Sequence, residues 1–226
     1  WDPTYFLVLV GLVLCLGASA LVNSTMRKYS KVRNMRGLTG AEAARNILNR
    51  EGLYNVQIEC LNSDDGDHYD PRTDTVRLSY NNFNGTSVTA VSVAAHECGH
   101  AVQHARAYAP LTMRSKLVPV VSFASNIMTW VLLGGILMLN TFPQLLLAGI
   151  ILFAMTTLFS FITLPVEINA SKRALVWLSS SGITNARNHT QAEDALRSAA
   201  YTYVVAALGS LATLVYYIMI FMGRRE

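Results

Sequence analysis

The most prominent pattern in the chain is a set of four apolar runs without a charged residue, over residues 5–22, 117–139, 145–164 and 201–222. A helix needs about 20 residues to cross the hydrocarbon core of a bilayer, and it satisfies its own backbone hydrogen bonds there. The pattern therefore predicts four transmembrane helices. Asn140-Thr141-Phe142-Pro143, between the second and third runs, predicts a tight helical hairpin.

Shorter periodic segments fill the polar stretch after the first run. Thr39 to Glu42 have the spacing of a capping box and predict a short helix that closes at Gly52. Apolar alternation predicts one strand over 54–61 and another over 75–79, with a polar turn region at 62–71 between them. The second strand is expected to lead directly into the next helix. Its free edge could pair with an extended peptide, and an edge covered by a loop is the alternative.

Turn and breaker residues predict three further helices. One covers residues 88–108 and ends at Pro110. Pro165 is expected to end the third apolar run, so that a separate helix covers 166–178. The last helix is expected to open on a capping box, Thr190 to Glu193, and to continue into the fourth apolar run.

Composition and charge agree with a membrane protein. The chain has 226 residues, of which 52% are hydrophobic and 14% charged, and its net charge is +4. The first run is followed by Arg27, Lys28, Lys31, Arg33 and Arg36. By the positive-inside rule these residues are cytoplasmic and the N-terminus is outside. Arg224 and Arg225 would then lie outside, against the rule. Because the chain begins at Trp1 rather than Met, a few residues are expected to precede it.

The basic run has a second interpretation, which is nucleic-acid binding. Neither an aromatic platform nor a groove-reading element accompanies the run, so we expect membrane lipid and no nucleic acid as its partner. Cys15, Cys60 and Cys98 suggest no disulfide framework, as a reducing compartment requires. We therefore expect a multi-pass protein of the cell (plasma) membrane whose polar segments lie in the cytoplasm.

The segment His96-Glu97-Cys98-Gly99-His100 carries the most specific chemistry in the chain. On a helix, with about 100° per residue, both histidines and Glu97 share one face and Cys98 points away. Two imidazoles one turn apart suit Zn²⁺, and the neighbouring carboxylate can take a proton from an attacking water. Coincidence is the alternative, because such a motif arises by chance with a probability on the order of 0.3% at this composition. The motif therefore needs a helix around it and a third ligand.

The third ligand follows by elimination. Gln103 and Arg106 stand where a metzincin has Gly and His, so that class is excluded. A gluzincin takes a Glu from a separate downstream helix. The acidic residues downstream of the motif are Glu167, Glu193, Asp194 and Glu226. The predicted capping box accounts for Glu193 and Asp194, which leaves Glu167.

Small residues support this choice of Glu167. Ala170, Ser171 and Ala174 follow it at helical spacing, and this stripe would let its helix pack closely against Gly99. The alternative is that Glu167 is a charged residue at a membrane boundary. The acidic stretch 64–70, which includes His68, lacks the spacing of a calcium loop and is interpreted as ordinary turn chemistry.

Three motifs together resemble a known family. DHYDPRTDTVRLS at 67–79, AAHECGHAVQH at 94–104 and EINASKRAL at 167–175 are similar to the YugP-type membrane zinc metallopeptidases of bacteria. A more distant likeness is to the HtpX-type gluzincins, whose third-ligand helix reads E-x-x-A-D. Ser171 occupies the Asp position here. In those relatives the Asp carboxylate orients a zinc-bound histidine. The resemblance implies that the contact which orients this histidine is weaker here, or that another residue such as Asn169 makes it.

These observations predict a mainly α integral membrane protein with four transmembrane helices and a cytoplasmic zincin-like α+β metalloprotease domain that carries a small β-hairpin or sheet. Its expected parts, in order, are transmembrane helix 1 (1–22), the protease part with the motif helix (23–116), transmembrane helices 2 and 3 (117–164), the cytoplasmic third-ligand helix (165–200), and transmembrane helix 4 with the C-terminus (201–226).

The expected function is that of a gluzincin-type zinc endopeptidase acting on membrane or membrane-proximal proteins. His96, His100 and Glu167 bind Zn²⁺, and Glu97 is the general base. The developing oxyanion needs a second hydrogen-bond donor besides zinc, and the candidates are Tyr203, Arg173 and His104, in that order of preference. For His104, substrate binding and support of the metal site are the functional interpretations, and a structural histidine is the favoured alternative.

Two other functions compete with this one. A zinc-stabilised membrane scaffold or adaptor would have no use for an unliganded base at position 97. Metal transport is disfavoured because the apolar runs contain no Asp, Glu, Lys, Arg or His. A homo-oligomer or a membrane partner protein is left open.

Overall fold

The computed structural model describes residues 3–223. Their helices are α1 (Pro3–Tyr29), α2 (Gly40–Arg50), α3 (Tyr80–Asn84), α4 (Val88–Ala105), α5 (Ala109–Leu137), α6 (Pro143–Ser180) and α7 (Ala186–Met222). Their strands are β1 (Gln57–Cys60), β2 (His68–Asp70) and β3 (Thr75–Leu78). The expectations for the chain upstream of Trp1, for Arg224 and Arg225, and for Glu226 lie outside the described residues.

Four helices are long and apolar enough to cross a membrane, namely α1, α5, α6 and α7. The predicted apolar runs lie within these four helices, except that the second run continues two residues past the end of α5 at Leu137. A mainly helical protein with four candidate spans and a small sheet is thus confirmed. All four helices are longer than the runs that predicted them, because polar residues continue the helix beyond the apolar stretch.

The chain forms two compact units. The first unit comprises 3–18, 112–165 and 202–223, and it contains the predicted hairpin of α5 and α6. A Cβ added at Gly135 would lie 2.5 Å from the Cα of Leu146, so the hairpin depends on a glycine at this crossing. Large apolar side chains such as Trp130 and Leu137 are exposed on this unit, as lipid-facing residues would be.

The second unit comprises 19–111 and 166–201, and it contains the sheet. The strand order is β1-β3-β2; β1 pairs with β3 in parallel and β2 pairs with β3 antiparallel. The prediction of a turn throughout 62–71 is wrong for its last residues, because they form β2. The strand is too short to produce an alternating sequence pattern.

The prediction of a free edge on the strand before the motif helix is also wrong. That strand is β3, and both of its edges are occupied because it lies between β1 and β2. The short helix α3 also separates β3 from α4. The edges that are free within this sheet belong to β1 and β2.

The core of the second unit lies around α2 and α4. Ile47 and Leu48 on α2 are fully buried with Ala94 and Cys98 on α4, in a cluster that also includes residues of β3 and α6. The predicted capping box starts α2: the Thr39 side chain accepts from the Glu42 amide at 3.1 Å, and Glu42 accepts from the Thr39 amide at 2.8 Å. This packing gives α4 a rigid support.

Two predicted helix boundaries are wrong. Helix α6 runs unbroken through Pro165 from Pro143 to Ser180, so no separate helix begins at 166. A proline removes only one hydrogen bond, and the apolar surroundings favour keeping the rest of the helix intact. The end predicted for the motif helix at residue 108 is the second wrong boundary, because α4 ends at Ala105. Pro110 lies instead in the first turn of α5, where a missing N–H is tolerated.

The last helix begins earlier than predicted, at Ala186 rather than at a capping box over 190–193. The side chain of Asn185 accepts from the amide of Asn188 at 2.8 Å and thus caps the helix. Glu193 forms an ion pair with Arg197 one turn later, and Asp194 accepts a 3.0 Å hydrogen bond from the hydroxyl of Tyr29. Both acids therefore have structural partners, although these differ from the ones predicted.

Candidate metal centre

Helix α4, which carries both histidines, has a capped N-terminus. Its N-cap is Ser87, whose side chain accepts from the amide of Ala90 at 3.0 Å. The rings of His96 and His100 lie edge to face with their centroids 4.8 Å apart. His100 is only 9% exposed, so its ring is largely shielded from solvent.

Helix α6 brings Glu167 to the two histidines. Its Oε2 lies 3.0 Å from Nε2 of His96 and 3.5 Å from Nε2 of His100, and Glu167 is 3% exposed. All three ligand atoms lie within 4.8 Å of one another. Ligands about 2.0–2.1 Å from a tetrahedral zinc ion are about 3.3 Å apart, which is close to the distances from Glu167 to the two histidines. Two imidazole nitrogens and one carboxylate oxygen are also a zinc donor set.

No other group of three such side chains occurs within residues 3–223. The acidic stretch that ends at Asp70 is engaged in ordinary structure. Asp67 accepts from the Ser79 amide at 2.8 Å, and Asp70 forms ion pairs with Arg72 and Arg77. These contacts are structural ones, although Asp70 lies in β2 rather than in a turn.

A glycine permits the close approach of the two helices. A Cβ added at Gly99 would lie 2.9 Å from both the Cα and the carbonyl oxygen of Ala170. Side-chain atoms at that distance overlap, so any larger residue would push α4 and α6 apart. The predicted contact between Gly99 and the small-residue stripe after Glu167 is confirmed.

Each histidine is held from behind by a polar side chain. The Nδ1 of His96 lies 3.0 Å from the hydroxyl oxygen of Ser171. Ser171 is the residue that was expected to orient a histidine only weakly. Asn169, the proposed substitute, bonds instead to Gln103 and Arg173. The orienting contact to His96 is therefore made by Ser171 itself.

Gln103 contacts His100, and this role was not predicted from the sequence. Its Oε1 lies 3.0 Å from Nδ1 of His100, and the side chain is fully buried. The sequence feature that could have indicated this contact is the spacing of three residues between His100 and Gln103, which places both on one helix face. Sequence spacing alone does not separate such a contact from an ordinary buried glutamine.

Charge and burial act in opposite directions at His100. Burial lowers its pKa, but the hydrogen bond to Glu167 and the nearby charge of Glu97 outweigh burial, so that the pKa is raised. Glu97 is 8% exposed, and no hydrogen bond or ion pair joins its carboxylate to another of the described residues. Its oxygens therefore remain available as proton acceptors.

The neighbouring Cys98 is separated from this chemistry. It is fully buried, and its Sγ lies 3.7 Å from the carbonyl oxygen of Ala44 on the opposite side of α4. Burial, together with the charge of Glu97, raises the pKa of its thiol. Cys98 is therefore a packing residue, as its position on the helix predicted.

His104 lies one turn beyond His100 and bonds to a residue of the sheet. Its Nδ1 is 2.8 Å from the hydroxyl of Tyr69, which donates to Asp74 at 2.7 Å. Burial and the bond to Asp74 raise the pKa of Tyr69, which keeps its proton. Since that proton is given to Asp74, Nδ1 of His104 must be the donor to Tyr69. The Tyr69 contact was not predicted.

The other two predicted oxyanion donors occupy different surroundings. Arg173 is half-buried on α6, and its Nε donates to the side-chain oxygen of Asn169 at 2.8 Å. Tyr203 belongs to the first unit, on α7, and is 39% exposed. The catalytic roles of Tyr203, Arg173 and His104 stay predictions.

The comparison with known proteins decides the family. A family model described as "putative neutral zinc metallopeptidase" matches residues 4–222. The chain belongs to this zinc metallopeptidase family. It is similar to the "Putative membrane protease YugP" of Bacillus subtilis (strain 168), with 44% identity over 221 residues, which are 98% of this chain and 97% of the relative. No solved structure matches the chain.

Membership of the zinc metallopeptidase family confirms the resemblance drawn from the three motifs. It implies zinc as the metal and protein or peptide as the substrate class. The match extends over the four candidate spans as well as the candidate metal centre.

Proposed function

We propose that the protein is a membrane-embedded zinc endopeptidase of the gluzincin type, which hydrolyses peptide bonds in membrane or membrane-proximal proteins. The convergence of His96, His100 and Glu167 from two helices carries this proposal. These residues would hold a zinc ion, which would supply Lewis acidity for the activation of water and the polarisation of the scissile carbonyl.

Glu97 is the general base in this proposal. It stands next to His96 on the same helix, is largely enclosed, and has no partner among the described residues that would occupy its carboxylate. It takes a proton from the attacking water and later gives that proton to the leaving amine. A buried carboxylate with no structural partner is difficult to explain in a scaffold protein.

The developing oxyanion needs a donor from the chain, and we propose the same three candidates. His104 donates from Nε2 only when it is protonated, because its Nδ1 already donates to Tyr69. Arg173 donates at every physiological pH. A loss of kcat that falls on one of Tyr203→Phe, Arg173→Gln or His104→Gln would identify the donor.

The site is proposed to face the cytoplasm. The basic residues after the first apolar run favour this orientation by the positive-inside rule. The substrate is then a flexible segment that lies close to the membrane, because four membrane helices confine the site there.

The experiment that tests the proposal uses the full chain purified in mild detergent. Zinc content is measured, and cleavage of an intrinsically disordered protein is followed for wild type and for Glu97→Gln. We expect the variant to keep its zinc and to lose about 10²-fold or more in rate, the range typical of general acid–base catalysis. Glu59→Gln, at an exposed ion pair with Arg77, is the matched control and should cleave normally. Equal cleavage by Glu97→Gln and wild type would refute the assignment.

A further inference from the structure

The side chain of Gln103 is fully buried, and all of its hydrogen-bonding groups are engaged. Its Nε2 donates to the backbone oxygen of Val166 at 2.9 Å and to Oδ1 of Asn169 at 3.0 Å. Its Oε1 faces Nδ1 of His100 at 3.0 Å. The residue thus joins α4 to the segment of α6 that carries Glu167.

The orientation of this amide is fixed by groups that can act in only one way. Arg173 donates to the side chain of Asn169 at 2.8 Å, and a guanidinium cannot accept. The Asn169 atom at that point must therefore be oxygen, and the Gln103 atom facing the same oxygen must be nitrogen. The carbonyl of Val166 requires the same orientation independently, because a carbonyl oxygen only accepts.

The fixed amide selects one form of the histidine. Since Oε1 of Gln103 can only accept, Nδ1 of His100 must carry a hydrogen. In the neutral ring Nε2 then has a free lone pair, and Nε2 is the atom that lies near Glu167. We propose that Gln103 is a positioning residue that holds His100 in the Nδ1-protonated tautomer for zinc binding, and that Asn169 and Arg173 set its orientation. The inference rests on the proposed zinc site.

His96 provides an internal contrast. Its Nδ1 faces the hydroxyl of Ser171, which can donate or accept. The contact to Ser171 therefore orients the ring without selecting a tautomer. Of the two histidines, His100 is the one whose neutral tautomer is determined by its surroundings.

The test measures zinc affinity of the metal-free full chain in detergent, by competition with a chromophoric chelator. Gln103→Leu has a similar volume and lacks the amide. We expect it to lower zinc affinity by about 10- to 100-fold, the range for lost outer contacts of metal ligands. Cleavage should fall at limiting zinc and recover at excess zinc, which would not occur if Gln103 took part in the reaction itself. Ser92→Ala removes another fully buried polar group from α4 and should keep wild-type affinity.

Two variants of Asn169 test the same inference if Gln103→Leu does not fold. Asn169→Asp keeps an acceptor for both Gln103 and Arg173, whereas Asn169→Leu removes it. We expect the zinc affinity of Asn169→Asp to stay within about threefold of wild type. Asn169→Leu should bind zinc about tenfold more weakly than wild type.

The outcomes separate this inference from the proposed function. Wild-type affinity in both Gln103→Leu and Asn169→Leu, with cleavage and zinc binding intact in the parent protein, would overturn the positioning role alone. Equal weakening by Asn169→Asp and Asn169→Leu would also overturn it, because the Asp retains the acceptor. A parent protein that binds no zinc would instead remove the proposed function.

Discussion

At the scale of single residues, the proposed site consists of ligands and the groups behind them. His96 and His100 each have one ring nitrogen toward Glu167 and the other against a polar side chain. Such outer contacts fix ring orientation and influence how well a metal is held. Variants of the ligand and of its support should therefore differ in the size of their effect on zinc.

Replacing Glu167 by Gln removes the negative charge and one zinc-binding oxygen of the carboxylate. We expect bound zinc to fall well below one equivalent after dialysis, as measured by elemental analysis of the purified protein. Glu193→Gln, which removes an exposed carboxylate paired with Arg197, should retain the wild-type content. An unchanged zinc content in Glu167→Gln would exclude this residue from the ligand set.

Ser171 gives a graded prediction for His96. Ser171→Ala removes the 3.0 Å contact to Nδ1 and should weaken zinc binding by about tenfold. Ser171→Asp places a carboxylate there, as in the E-x-x-A-D pattern of the HtpX-type proteins, and should strengthen binding because it makes the imidazole a better donor. Chelator competition measures both, and weaker binding by Ser171→Asp would contradict this account.

At the scale of elements, the site depends on how closely α4 and α6 approach each other. Gly99 and Ala170 are in contact at the crossing, one residue before His100 and three after Glu167. A small displacement there moves the histidines away from the carboxylate. The helix crossing therefore determines metal affinity as well as stability.

The prediction for the crossing uses two glycine variants. Gly99→Ala should destabilise the protein by about 1–3 kcal/mol through overpacking and should also lower zinc affinity. Gly17→Ala, on α1, is the matched control, because a Cβ there would meet nothing within 4 Å. Its helix propensity gain should leave the melting temperature equal or slightly raised. Thermal unfolding in detergent, with and without zinc, distinguishes the two, and a Gly99→Ala protein as stable as wild type would refute the close contact.

Local signals predicted some elements well and others poorly. The capping box at Thr39 and the glycine contact at Gly99 were predictable because each depends on residues near in sequence or on one missing side chain. Strand β2 was not, because three residues in a polar stretch acquire their conformation from pairing with β3. The continuation of α6 through Pro165 was missed because a local breaker was outweighed by the remaining helix.

Within the candidate site, the convergence of the three proposed ligands was predictable and the contacts that support them were not. A motif and the scarcity of downstream acids lead to His96, His100 and Glu167. The role of Gln103 depends on which way its amide faces, and that is fixed by Arg173 through Asn169. Such a chain of contacts has no signature in the spacing of residues.

At the scale of the whole molecule, the second unit is assembled from two separated parts of the chain. Residues 19–111 supply the histidines and residues 166–201 supply Glu167, and the segment between them contains α5 and most of α6. Both parts must therefore lie on one side of the membrane. The proposed cytoplasmic orientation is a property of the second unit, and one exposed residue within it can report on that orientation.

Cys60 is a natural reporter of this orientation. It is exposed at the end of β1, whereas Cys98 is buried. A membrane-impermeant maleimide should label the protein in inverted membrane vesicles and should leave it unlabelled in intact cells. Cys60→Ser should abolish the labelling. Labelling of Cys60 in intact cells would place the second unit outside.

The burial of Cys98 has a consequence for chemical inhibition. A thiol one residue from the proposed base would ordinarily make a hydrolase vulnerable to peroxide or alkylating agents, but this sulfur is enclosed and keeps its proton. The proposed activity should instead be lost to agents that remove the metal, and it should persist in the presence of peroxide for as long as zinc is supplied.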